Sequence, residues 1–326
     1  MPQIEISEIE AVTKRSLLAH GASETVASTM ADAVAWAEAR DNRICGLYYL
    51  ESYCQQLFTG RVKGAVTPEV TRPKPGVVEV DAGYGFAQPA FRAAFDTAQG
   101  AARETGLANL LVRHAHTCTA LGWFTEQIAK AGLIGMGYTN ASPIVAPPGG
   151  KTRVIGTNPM SFAVPDGAGG VGMLFDQSTT SVALGRITMA KAAGEPIPEG
   201  WAVDADGKPT TDPEAALQGS LCSTGGYKGW GLGLMVEIMA AGLAGGTPSR
   251  SVKPLKAPDG APHDLGHCFL LIDPGIRPDF DAMVAGLAEA VSQDDGARLP
   301  GRGKSLRHAV DVPDTLWNAT LALGEG

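Results

Sequence analysis

Apolar residues recur through the first sixty positions at intervals of three and four, the spacing that lines one face of a helix. Ile9, Val12 and Leu17 form one stripe, and Ser7 with Glu10 ahead of it has capping-box spacing, so a first helix is expected to open there. A second stripe of Val26, Met30, Ala33, Val34 and Ala37 follows Ser23, and a third helix is expected over Leu47–Leu57, with Gly60 ending it. From Val62 to Val80 the prolines Pro68, Pro73 and Pro75 exclude helix. That stretch reads as an extended connector entering a short strand at Val77–Val80, and as the best boundary between domains.

Beyond it the periodicity alternates. Helices are expected at 88–102, 124–131, 180–192, 229–243 and 280–292, and strands at 108–113, 133–139, 160–164, 171–175 and 268–273. Such alternation predicts an α/β protein. Gly245 to Asp264, rich in Pro, Gly, Lys and Asp, reads as a long surface loop.

Composition narrows the function classes. The chain has 326 residues, 44% hydrophobic and 18% charged, enough for more than one core. A net charge of -8 argues against nucleic acid or an anionic membrane surface as a partner, so a small anionic ligand needs locally placed cations. No apolar run approaches the ~20 residues of a membrane span, and the amino terminus lacks a secretory pattern, so a cytoplasmic protein is expected. The five cysteines contain no C-x-x-C pair, and His20, His263, His267 and His308 are widely spaced. Neither a disulfide framework nor a metal site is expected.

The chemistry concentrates in three blocks: Gly149 to Pro165, with Gly156-Thr157-Asn158-Pro159 at its centre; Phe175-Asp176-Gln177-Ser178 at a strand end; and Gly225-Gly226-Tyr227-Lys228-Gly229 before a helical stripe. A helix amino terminus with free amides and a lysine is an anion site by geometry and charge. A plain loop-to-helix turn has the same spelling, and Asp176-Gln177-Ser178 alone reads equally well as a helix cap. The two standard phosphate loops are absent: Gly135 to Asn140 lacks the third glycine of G-x-G-x-x-G, and Val145 stands where a Walker A loop begins with glycine.

In order and spelling, these blocks resemble the malate/L-lactate dehydrogenase family, which is unrelated to the Rossmann lactate dehydrogenases. Within it they resemble the Δ1-piperideine-2-carboxylate and Δ1-pyrroline-2-carboxylate reductases. The resemblance runs over most of the chain. It implies a cofactor domain at 77–276 with a mixed, largely antiparallel sheet flanked by helices, and a helical substrate and dimerisation domain from 1–76 and 277–326. It implies NAD or NADP held by Asp176, Gln177, Ser178, Lys228 and Gly229, with Gly301 and Arg302 in the last cofactor-contacting turn. Thr157, Asn158 and Tyr49 are expected at the active-site floor, beside a small carboxylate substrate. A homodimer with active sites at the subunit boundary is also implied.

The catalytic position departs from the family pattern. Where the family has Ser-His-Gly, a variable pair and an arginine, this chain has Ile44-Cys45-Gly46-Leu47-Tyr48-Tyr49. A second family histidine aligns with Thr117, and His116 stands one position earlier. Cys45, Tyr48 and His116 are therefore the candidates at the reacting centre, each with a bland alternative: buried thiol, half-buried helical tyrosine, scaffold histidine. Reduction of a ketone places negative charge on oxygen and profits from a histidine acid; a cyclic iminium already carries its proton. The missing histidine therefore favours a cyclic imino acid over a ketone, as does the Phe-Asp-Gln-Ser spelling. The alternatives are a 2-hydroxy-acid dehydrogenase of the malate, lactate, sulfolactate or ureidoglycolate kind and a catalytically silent dinucleotide-binding protein. The sequence leaves the choice between NADH and NADPH open.

Overall fold

The computed structural model describes residues 1–303 and 305–325. The chain opens with a short strand β1 (Gln3–Glu5) and two packed helices, α1 (Ile6–Ala19) and α2 (Glu24–Ala39). Ser23 caps α2 through its hydroxyl, which accepts from the Val26 amide. No side chain caps α1; Ser7 lies inside the helix, so the expected capping box does not form, and the Ile6 amide instead donates to the His308 carbonyl. The third helix is shorter than the apolar pattern predicts. Two 3₁₀ turns, Arg43–Cys45 and Leu47–Tyr49, precede α3 (Leu50–Phe58), because the Leu47 amide is captured by the Glu38 carboxylate at 2.8 Å.

The proline-rich connector holds a strand of its own, β2 (Glu69–Lys74), which pairs with β3 (Val77–Asp81). Then follow α4 (Ala87–Thr105), β4 (Leu107–Ala115), α5 (Gly122–Lys130), β5 (Ile134–Thr139), β6 (Met160–Pro165) and β7 (Val171–Gln177). The helix expected at 180–192 is α6 (Leu184–Ala193), and a stretch with no clear periodicity then forms β8 (Ala202–Val203), β9 (Pro209–Thr210), α7 (Pro213–Gln218) and β10 (Ser220–Leu221). Next come α8 (Tyr227–Glu237), continued by a π turn over Ile238–Leu243, then β11 (Leu265–Ile272), α9 (Phe280–Val291), β12 (Ala309–Asp311) and α10 (Asp314–Leu323).

The main sheet has seven strands in the order β2-β3-β4-β11-β5-β6-β7, and only β3–β4 is parallel. It is the mixed, largely antiparallel sheet that the resemblance implies. Strand β11 reads Leu-Gly-His-Cys-Phe-Leu-Leu-Ile without alternation because it is central and covered on both faces. On one face Phe124 stacks on Phe269 and Phe91 meets both edge-on, at centroid distances of 5.0–5.1 Å, surrounded by the small residues Ala94, Ala98 and Ala101 of α4. On the other, Leu111, Tyr138 and Cys268 pack under Val236. A second core joins the amino-terminal helices to the carboxyl end: Ile9, Leu17, Met30, Leu50 and Tyr53 meet Val310, Val312 and Trp317, and β1 pairs with β12. Each large side chain so buried contributes about 1.5–3 kcal/mol of transfer free energy.

Candidate active site

The three blocks singled out in the sequence converge beside the open end of β7. Thr179 donates its amide and its hydroxyl to the Thr157 carbonyl, both at 3.0 Å, and its own carbonyl accepts from the Thr224 amide at 2.9 Å. Asn158 is fully buried with φ +37, an uncommon conformation that its surroundings enforce. Its side-chain amide donates to the Gly233 carbonyl at 3.0 Å and to Glu237 at 2.9 Å, fixing α8 to the 156–158 loop. Ser249 completes this network by donating its amide and hydroxyl to Glu237. Gly156 is required by close approach: a Cβ there would lie 2.5 Å from the Ala141 carbonyl oxygen.

The turn before α8 presents bare backbone. Gly225 and Gly226 have φ of +60 and +65, and side chains built on either would project into open space. The first-turn amides of this 11-residue helix have no intrahelical acceptors. Lys228 stands exposed in that turn and makes no ion pair among the described residues. An open glycine turn, free amides and a cation suit the paired phosphates of a dinucleotide. Gln177 is exposed at the end of β7, and the Ser178 hydroxyl bonds that of Thr180 at 2.8 Å. The 299–302 turn docks on β7, where the Leu174 amide donates to the Pro300 carbonyl at 3.0 Å, leaving Arg302 exposed.

Asp176 lies within β7, opposite Ser161 of β6, and points to the amino terminus of α5. A chain of hydroxyls sets that approach: Thr125 of α5 bonds Ser161 at 2.6 Å, and Ser161 donates to the Phe175 carbonyl at 2.9 Å. The Asp176 carboxylate accepts from the Gly122 amide at 2.8 Å. Burial raises its pKa to about 6, against the lowering effect of the Gly122 and Leu121 amides. Weaker acids surround it. Burial pushes the Cys45 thiol up to about 12, with the charge of Asp176 adding to the shift, and Tyr49 also rises to about 12 by burial. Cys118 is driven well above its ordinary value for the same two reasons as Cys45. The Tyr53 hydroxyl is buried with no partner in hydrogen-bond geometry among the described residues, and Thr119, β-branched, holds a strained φ of +53. Of these groups only Asp176 changes charge near neutral pH.

The remaining candidates lie differently. His116 is buried, its Nε2 2.6 Å from Gln56 Oε1 and its ring edge-on to Tyr53 and Phe86; burial holds its pKa well below the usual histidine value. Its carbonyl also accepts from His267 Nε2 at 3.0 Å. Tyr48 is 52% exposed, with the Lys256 ammonium 3.6 Å above its ring. Tyr53, Cys118, Thr119 and Lys256 were not legible as site residues. Each reaches the site through non-local packing, and only the backbone strain at Thr119 marks it, a property that sequence does not display.

The family model described as malate/L-lactate dehydrogenase matches residues 4–318. The chain belongs to the malate/L-lactate dehydrogenase family. It is 36% identical to a Δ1-pyrroline-2-carboxylate reductase of Ancylobacter novellus, over 99% of this chain and 97% of that one. It is 37% identical to a (2R)-3-sulfolactate dehydrogenase (NADP(+)) of Chromohalobacter salexigens, over 96% of each. The crystal structure of the Δ1-piperideine-2-carboxylate reductase from Pseudomonas syringae superposes with a TM-score of 0.91 at 31% identity, covering 99% of this chain and 100% of that one. As a member of the malate/L-lactate dehydrogenase family, the protein is an oxidoreductase that uses a nicotinamide coenzyme. At the positions where the resemblance led to a histidine and an arginine, the structure has Cys45 near Asp176 and Tyr49 near Cys45.

Proposed function

We propose that the protein reduces a small cyclic 2-imino acid of the Δ1-pyrroline- or Δ1-piperideine-2-carboxylate type, with 2-oxo acids as weaker substrates. The observation that carries this reading is the protonation pattern around Asp176: one carboxylate with a pKa of about 6 among thiols and phenols that stay neutral. The bound coenzyme supplies a hydride to C2 of the substrate. Asp176 holds the one proton that the imine nitrogen needs, and the electron pair of the C=N bond settles on that nitrogen as the amine forms. An imine nitrogen is basic enough to take that proton before the hydride arrives, whereas a ketone oxygen must receive it as the alkoxide forms and so depends on an acid aligned on the oxygen.

In this reading Lys228 and the first-turn amides of α8 hold the coenzyme phosphates, Gln177 and Ser178 line the nicotinamide end, and Gly301 and Arg302 close the far side. Thr157 and Asn158 shape the floor. His116 and Gln56 act as scaffold. Five free thiols fit the reducing cytoplasm. The exposed apolar row on α8 and its π turn, with Tyr227 at 74%, Ile238 at 65% and Leu243 at 49%, suits a second copy of this chain packed beside the coenzyme turn.

Loss of reduced-coenzyme absorbance, followed with pyrroline-2-carboxylate, piperideine-2-carboxylate, pyruvate, oxaloacetate and sulfopyruvate in turn, tests the reading. The expected result is a kcat/KM for the cyclic imines at least ~10-fold above that for any 2-oxo acid. The (2R)-3-sulfolactate dehydrogenase relative at 37% identity makes sulfopyruvate the rival to beat, and faster turnover of it would overturn the proposal. Coenzyme binding without turnover of any of them would mark a silent protein.

A further inference from the structure

Arg61 is 2% exposed, and its guanidinium donates only to backbone carbonyls: Pro254 at 3.0 Å, Leu255 at 2.9 Å, Ala257 at 2.7 Å and Ala261 at 3.0 Å. Gln56 donates to the same Leu255 and Ala257 carbonyls at 2.6 and 3.0 Å, and Thr59 donates to Pro258 at 2.7 Å. Seven hydrogen bonds thus immobilise a Pro- and Lys-rich surface loop, and those to residues 255 and 257 bracket Lys256. A buried cation in no ion pair among the described residues is costly, and a loop held this tightly has a fixed side chain to present.

The side chain presented is Lys256. Its ammonium sits 3.6 Å from the Tyr48 ring centroid and 5.3 Å from that of Tyr49, and it makes no ion pair among the described residues. Tyr49 stacks on Tyr53 at 6.1 Å and adjoins Cys45, so a run of aromatic rings leads from Lys256 toward Asp176. Of the arginines beside the tyrosines, Arg40 pairs with Glu126 at 2.6 Å and Arg43 with Asp41 at 3.2 Å, and Lys256 is the lysine of its loop whose ammonium lies on the tyrosine rings. A cation on an aromatic face is worth about 0.5–1 kcal/mol when exposed and leaves its donors free for an anion.

We propose that Lys256 binds the substrate carboxylate, taking over from a different part of the chain the positive charge that Tyr49 cannot provide. This rests on the reading that the substrate is a small imino or oxo acid. The ammonium anchors the carboxylate at the tyrosine edge and leaves C2 and the imine nitrogen turned toward Asp176. Lys256 contributes equally to substrate and transition state, so its loss acts on KM.

The test compares wild type, Lys256→Met and Lys256→Arg with Δ1-pyrroline-2-carboxylate and with 1-pyrroline, the same ring lacking the carboxylate. In Lys256→Met, KM for the carboxylate substrate is expected to rise about 10- to 100-fold, the size of one charge-assisted hydrogen bond, with kcat held within ~3-fold. Lys256→Arg restores most of the affinity. Turnover of 1-pyrroline and the dissociation constant of the reduced coenzyme stay unchanged in both variants. An unchanged KM in Lys256→Met, with wild type active on the carboxylate substrate, overturns this assignment and leaves the proposed activity standing. A wild type inactive on every imino and oxo acid overturns both. Equal losses on 1-pyrroline and its carboxylate overturn the anion-binding role specifically, since they report a structural effect on the tyrosines.

Discussion

Asp176 is where the chemistry is most exposed to test. Its pKa of about 6 lies above that of a free aspartate because burial penalises the carboxylate. Reduction consumes a proton, so the competent free enzyme is the protonated one. Reductive kcat/KM should therefore fall as pH rises through about 6, while oxidation of the amine should gain over the same interval. Asp176→Asn should lower reductive kcat by about 10²–10⁴ and remove that limb from the pH profile measured with saturating coenzyme. Cys45→Ala should leave the limb in place, since a thiol near 12 carries no proton traffic at neutral pH. A retained limb in Asp176→Asn would assign the proton to another group. At this scale the sequence was partly legible. Asp176, Lys228 and Asn158 stand in recognisable spellings, but the spelling marked Asp176 only as a cofactor contact. Its proximity to Cys45 and Cys118 arises from residues 45, 118 and 176 meeting across three elements, which no local pattern encodes.

Among the elements, α8 is the one the site depends on, and a single buried amide aligns it. Replacing Asn158 with alanine removes the bonds to Gly233 and Glu237 and leaves the latter's carboxylate with the two Ser249 donors alone. The expected cost is roughly 2–4 kcal/mol of stability, with weakened coenzyme binding because the glycine turn at 225–226 rides on the same helix. Calorimetric melting and coenzyme titration measure the two effects separately; a melting loss with unaltered coenzyme affinity would detach the turn from the lock. The long helices and the inner strands were legible because their apolar residues repeat over three or more turns or fill a covered strand. β1, β12 and the 202–221 strands were not, since two or three residues carry no period. The helix expected from Leu47 is interrupted because Glu38, on a different helix, captures the Leu47 amide. The loop at 245–264 was foreseen as a loop, yet its rigidity was hidden in Arg61 and Gln56, about 200 positions away.

Taken whole, the molecule keeps three histidines neutral in its interior. Burial lowers His263 to about 3 and His267 to about 4, and His116 well below the ordinary value. Unfolded, each titrates near ~6.5. Above that pH neither state is protonated and the histidines cost nothing; as pH falls below it the unfolded chain gains protons that the folded one refuses, and stability declines until the folded values are reached. Asp176 and Glu38, both raised by burial, act in the opposite sense, but they are two against three. Melting temperature should therefore drop on acidification from pH 7 to 5. Both ring nitrogens of His263 lack partners among the described residues, so His263→Phe should flatten that decline. A melting temperature independent of pH over this interval would show that the histidines stay solvated.

The order of strands also constrains how the protein is made. β11, drawn from residues 265–272, lies between β4 and β5, which are translated more than 120 residues earlier. A nascent chain halted at residue 260 holds two half-sheets, each with a raw hydrogen-bonding edge and one ring of the three-phenylalanine cluster, waiting for a middle that the ribosome has yet to release. A truncation that spares the residues around Asp176, Lys228 and Lys256, such as a stop after Asp264, should thus yield insoluble protein.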